Sequence, residues 1–235
     1  MRVHTTTVLS LSALAVLALA GCTHGSATSP SPMSSTTVPV PPDGQSAPAS
    51  SPLSSTALAK RLLDESDLGG DYTRMPRRTA AHDDVTVIGC PALAKLGDAS
   101  TGASLAFPRK AKASFTYAGG SSSELTEELY SDTEDKLSRS VDRIFEAMTS
   151  CRTYQVLAGS TPVAVTTQKV LVARRLGDEQ WSQLLTFAAG GRSSSVKQTA
   201  VRTGMVLVVV SGSPGLVDAQ VRKAVVKATV VRSAG

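Results

Sequence analysis

Residues 23 to 56 limit what this chain folds into. Of those 34 positions 22 are Ser, Thr or Pro, Asp43 is the only acid, and Lys and Arg do not occur. Such a stretch buries too little apolar surface to offset the entropy of ordering it. Pro30, Pro32, Pro39, Pro41 and Pro42 favour extended polyproline geometry, which makes the segment a semi-stiff spacer. Fully stretched, it reaches roughly 110 Å. Its hydroxyl- and Pro-rich composition also marks it as an O-glycosylation candidate. Folding is therefore expected to be confined to residues 57–235, 179 positions that suffice for one domain with a real core and are too few for two.

Residues 1–21 read as an export signal. Arg2 supplies the positive start, residues 8–19 are uncharged and rich in Leu, Ala and Val, and the small Ala20 and Gly21 precede Cys22. A core of 12 residues is well short of the roughly 20 that a membrane-crossing helix needs. Leu19-Ala20-Gly21-Cys22 resembles the bacterial lipobox, in which the cysteine thiol takes a diacylglyceryl group and the chain is cut in front of it. The resemblance implies lipidation at Cys22 and a membrane partnership made through acyl chains. One chain anchors only marginally, so durable attachment takes two or more.

That address decides how the other two cysteines read. Cys90 and Cys151 lie in the part expected to fold, and an oxidising exterior with two remaining thiols favours pairing them with each other. Charge says less. Loss of Arg2 leaves 23 basic residues against 19 acidic ones, and the basic residues are scattered rather than interleaved with aromatics, so a nucleic-acid partner is not expected.

Periodicity sets the elements. Thr56 caps a predicted helix from Ala57 to Glu65; Val85 to Ile88 is a strand running into Cys90; Pro91 opens a brief helix through Leu96. Two alternating stretches, 112–118 and 124–130, predict neighbouring strands. Leu137, Val141, Ile144, Phe145 and Met148 then repeat at helical spacing behind Asp132 as N-cap, and the helix ends beside Cys151. Three strands follow at 180–188, 194–202 and 205–211, with turn signals at Gly190-Gly191 and Thr203-Gly204. The last is apolar on both faces, which places it inside the sheet. Ser213-Pro214 opens a final helix with Val217, Val221, Ala224, Val225, Ala228 and Val231 along one stripe. Runs of strands with helices between and after them argue for α+β, an antiparallel sheet backed by helices.

Catalytic chemistry is sparse in this reading. His82 is the only histidine in residues 57–235, no G-x-S-x-G elbow is present, and the chain has no Asn, so neither a Ser-His-Asp nor a Cys-His-Asn arrangement is complete. His82 with Asp83 and Asp84 reads as a polar loop. No zinc spacing, P-loop, EF-hand loop or G-x-G-x-x-G occurs, so no metal or cofactor is expected. Asp178-Glu179 beside Trp181 is the most suggestive carboxylate pair, yet adjacent strand residues point to opposite faces, and "GDEQW" reads as a turn entering a strand whose Trp is core. Arg174 and Arg175, with the same acidic pair, are expected at the rim of any cleft, where they would meet an anionic ligand.

The cysteine after an early strand (Cys90), the cysteine closing a central helix (Cys151), the Trp-bearing late strand and the closing "VLVVVSGSPGLVDAQVRKAV" together resemble actinobacterial sensor-domain lipoproteins, similar to the extracellular domain of PknH-type serine/threonine kinases. The resemblance implies an antiparallel sheet with helices and a ligand-binding cleft. Those domains carry two disulfides where this chain has cysteines for one, and no kinase domain is attached here. The expected function is a non-catalytic, lipid-anchored domain on the outer side of the cell membrane, binding a small molecule or cell-envelope component. A lipid carrier with an apolar cavity is the alternative reading, and an envelope hydrolase the third.

Overall fold

A computed structural model describes residues 51–76, 85–97, 107–119, 123–158, 161–172 and 175–230. The signal, Cys22, most of the spacer, His82 with Asp83 and Asp84, and Arg174 lie outside the described residues. In chain order the elements are α1 Ser55–Ala59, α2 Glu65–Leu68, β1 Tyr72–Arg74, β2 Val85–Ile88, α3 Pro91–Gly97, β3 Lys110–Tyr117, β4 Ser123–Ser131, α4 Glu134–Ser150, β5 Thr153–Ala158, β6 Thr161–Lys169, β7 Glu179–Ala189, β8 Arg192–Thr203, β9 Val206–Gly212 and α5 Pro214–Thr229. The strands form one sheet of nine, ordered β1-β3-β4-β9-β8-β7-β6-β5-β2, with every neighbouring pair antiparallel. This is the α+β architecture that the order of strands and helices predicts.

Helices cover both faces of the sheet. On one face α1, α2 and α5 pack over Phe115, Leu125, Leu129, Val201, Val206, Val208 and Val210. On the other, α4 packs on Ala200 and Leu207 through Leu137, Val141 and Phe145. The alternation along β9, with Val206, Val208 and Val210 on one side and Leu207 on the other, explains why that strand is apolar throughout. A smaller cluster beneath α3 and the end of α4 holds Leu93, Leu96, Ala147, Tyr154, Val156, Val163, Val165 and Leu185. Cys90 and Cys151 are bridged with their Cα atoms 5.7 Å apart, tying the start of α3 to the C-terminus of α4. Gly190 and Gly191, both at positive φ, make the two-residue turn joining β7 to β8.

Several expectations change. The fold starts before residue 57: the Leu53 N–H donates to Ser131 Oγ at 2.9 Å, and α1 is capped by Ser54 rather than Thr56. The single helix predicted to Glu65 is two short ones. Asp64 and Asp67 cap α2 reciprocally, and the chain between the helices turns Leu62 and Leu63 into the core. Asp132 sits one residue ahead of the α4 N-cap, Thr133, where it accepts from the Thr133 N–H and from Lys136 Nζ. Strands β1, β5 and β6 were not expected; β5 and β6 place Tyr154, Val156, Val163 and Val165 inward, against mostly polar residues outward.

Candidate functional site

The site forms where two strands part. The last rung between β6 and β7 is Lys169 opposite Gln183, after which the Val170 N–H donates to the Ser182 carbonyl at 2.9 Å. Residues 170–172 then leave the sheet as a strap while β7 runs on to Glu179, still paired with β8. The chain returns through a bend in which the Leu176 N–H donates to Gln180 Oε1 and Arg175 Nη1 donates to the Asp178 carbonyl. Gly177 fits this bend because a Cβ there would come within 2.5 Å of the Arg202 carbonyl.

Between the strap and α4 lies a cavity of about 370 Å³, which Asp142, Phe145, Glu146, Lys169, Arg175 and Trp181 help to line. A second hollow of about 270 Å³ lies behind the strap towards α5, near Lys197, Asp218 and Arg222. Trp181 is half-buried: it packs against the core cluster under α4, as the sequence suggests in part, and its other side lines the first cavity. Its indole N–H donates to Asp142 Oδ1 at 2.6 Å, and its ring lies 6.4 Å from that of Phe145. On the strap, Leu171 is 90% exposed.

The acidic pair behaves differently from expectation. Asp178 precedes β7, so strand alternation does not separate it from Glu179, and both carboxylates converge on Arg202. Arg202 Nε donates to Glu179 Oε2 at 2.6 Å, and Nη1 reaches Asp178 Oδ2 and the Gly204 carbonyl. Ser138 Oγ donates to the other Glu179 oxygen, and the Gly204 N–H donates to Asp178. Arg202 holds the Glu179 carboxyl below its ordinary range. A carboxylate kept ionised this way lacks the raised pKa that a general acid needs. The cluster is a clasp joining β7, the β8–β9 turn and α4.

The structure thus brings Arg175 to the cavity, 3.3 Å from the Asp178 carbonyl, and assigns Asp178 and Glu179 to the clasp. Sequence reasoning missed Asp142, Glu146 and Lys169. Asp142 and Glu146 are spaced i, i+4 on α4, which puts them on one face, but nothing local shows that this face meets a strap. Among the described residues no group of three or more His, Cys, Asp and Glu side chains is placed to hold a metal, and no helix is long and apolar enough to cross a membrane.

No family model matches the chain, and no curated protein does. Among solved structures, an uncharacterised Mycobacterium smegmatis protein, the ortholog of Rv0999, aligns at TM-score 0.41 and 11% identity over 74% of this chain and 97% of its own. The extracellular domain of PknH from Mycobacterium tuberculosis aligns at TM-score 0.55 and 13% identity, over 75% of this chain and 98% of its own. The protein therefore has a PknH-like fold, with the nine-stranded antiparallel sheet and helical backing described above.

Proposed function

We propose that this protein is an extracytoplasmic, sensor-like binding domain that takes a small ligand or envelope component in the cavity beside Trp181 and carries out no reaction. In this reading acyl chains at Cys22 hold it to the outer face of the membrane, and the spacer displays it above that surface. The observation that carries the proposal is the cavity: about 370 Å³, bordered by one aromatic pair and by charged groups on both walls. That volume is at the small end of ligand sites, and such a site combines an apolar surface with a few placed polar groups. Its charged rim supports a polar ligand over the acyl chains of a carrier. The likeness in fold to the extracellular domain of PknH fits a display role.

Two measurements test the proposal. Native mass spectrometry of the protein from its own host is expected to show a co-purifying small molecule. A small-molecule extract of the envelope is expected to change the emission of Trp181, the only tryptophan in the chain. Turnover of an envelope substrate, lost on replacing His82 or Asp178, would overturn the binding reading in favour of a hydrolase.

A further inference from the structure

Four charged side chains border the cavity beside Trp181. Asp142 and Glu146 stand one helical turn apart on α4, and Lys169 and Arg175 flank the strap that faces them. Among the described residues none of the four enters an ion pair, although both signs share one rim. Asp142 uses Oδ1 to accept from the Trp181 indole, and Arg175 uses one N–H on the Asp178 carbonyl, which leaves each with further capacity. The bond to Asp142 and the neighbouring Phe145 ring fix the indole as a rigid apolar surface beside these charges. A ligand ammonium group or methylene can pack on such a surface.

We infer that the cavity takes a small zwitterion, an amino acid or short peptide whose ammonium group is met by Asp142 and Glu146 and whose carboxylate is met by Lys169 and Arg175. The inference rests on the proposal that this cavity is the ligand site, and it narrows the ligand class. An anion alone would face two uncompensated carboxylates, and a cation alone would face two basic groups. A molecule carrying both signs satisfies the whole rim. Like charges at i, i+4 on a helix repel, so an ammonium group between Asp142 and Glu146 also relieves a local cost. The volume suits one to three residues rather than a folded partner.

Because Trp181 is the only tryptophan, the emission of the whole mature protein reads this cavity. Alanine, alanyl-alanine and trialanine step the separation of the two charges by roughly 3.5 Å per residue. Each is compared with its N-acetylated and C-amidated forms, which lose one charge apiece. The expected result is saturable binding of the zwitterion of matching length, with both singly charged forms at least about fivefold weaker, which is ~1 kcal/mol. Glu146→Gln should weaken the zwitterion about fivefold and leave the N-acetylated form, which no longer faces that carboxylate, no weaker than before. Lys169→Gln should do the same for the zwitterion and leave the C-amidated form, freed of one like charge, no weaker than before. Equal binding of charged and blocked forms overturns the zwitterion class while keeping the cavity as the site. No response to any of these probes at millimolar concentration also overturns it, and the envelope-extract titration then decides separately whether the cavity binds anything.

Discussion

Glu127 is the most exposed to experiment of the buried groups, because its ionisation opposes folding. It lies on β4, opposite Ala113 of β3 and Val210 of β9, and is wholly buried in the core under α1, α2 and α5. The Leu63 N–H donates to Oε2 at 2.6 Å, while Oε1 has no hydrogen-bond partner among the described residues. Burial pushes the carboxyl up to about 7; the Leu63 bond and the charges of Lys227 and Arg74 pull against that rise, and Asp67 adds to it. In the unfolded chain it titrates near 4.5. Below that pH both states hold the proton, and titration of the group contributes nothing to the pH dependence. Between about 4.5 and 7 the unfolded chain ionises while the folded one stays protonated, so stability falls as pH rises and levels off above about 7. At 1.36 kcal/mol per pH unit the loss is ~3 kcal/mol, a sizeable share of a typical domain's stability. Glu127→Gln keeps an acceptor for Leu63 and carries no charge. Its stability relative to the parent should therefore rise by ~3 kcal/mol between about pH 4.5 and pH 8. Urea denaturation followed through Trp181 measures this. Taking the difference between the two proteins removes the contribution of other groups that titrate in the window, and Asp64 and Glu179 are held below their ordinary range. Parallel pH profiles for parent and variant would refute the reasoning, whatever the offset between them.

Three other outcomes are expected. Cys22→Ala should abolish acylation and release or mislocalise the protein; fractionation that still finds it membrane-bound as tightly as the parent rejects the anchor. Thiol titration of the denatured, unreduced protein should find Cys90 and Cys151 unreactive, and Cys151→Ala should lower stability by up to ~4 kcal/mol for a bridge spanning 61 residues, without altering localisation. Arg202→Met removes the centre of the clasp and leaves Asp178 and Glu179 facing each other, which should cost ~2 kcal/mol in urea denaturation; an unchanged midpoint would show that the clasp adds nothing to stability.

Patterns that depend on local period were legible in the sequence. The helical spacing from Leu137 to Met148, the doubly apolar β9 and the glycine turn before β8 all express one element and its immediate neighbours. Parity and compartment, not spacing, identified the Cys90–Cys151 bridge. What escaped depends on partners distant in the chain. Glu127 occupies an inward position of "SELTEELYS", between Leu125 and Leu129, yet a glutamate among glutamates reads as solvated until the Leu63 N–H arrives from a segment 64 positions away. Trp181 reads as core because the sequence shows its strand but not that β6 leaves β7 at Lys169 and opens the cavity. Strand alternation would set Asp178 and Glu179 on opposite faces only as neighbours within a strand, but β7 begins at Glu179 and Asp178 lies in the bend before it, so both carboxylates meet on Arg202.

The two borders of the sheet have a consequence for crowding. A strand at the margin presents unpaired backbone groups on which a neighbouring molecule can build. Here the nine-stranded sheet ends in β1, three residues long, and β2, four residues long, while its strands of eleven and twelve residues lie in the interior. Among the described residues each border strand is thus a short template for a foreign strand. Many copies packed side by side at high local density should stay separate molecules instead of fusing into a continuous intermolecular sheet.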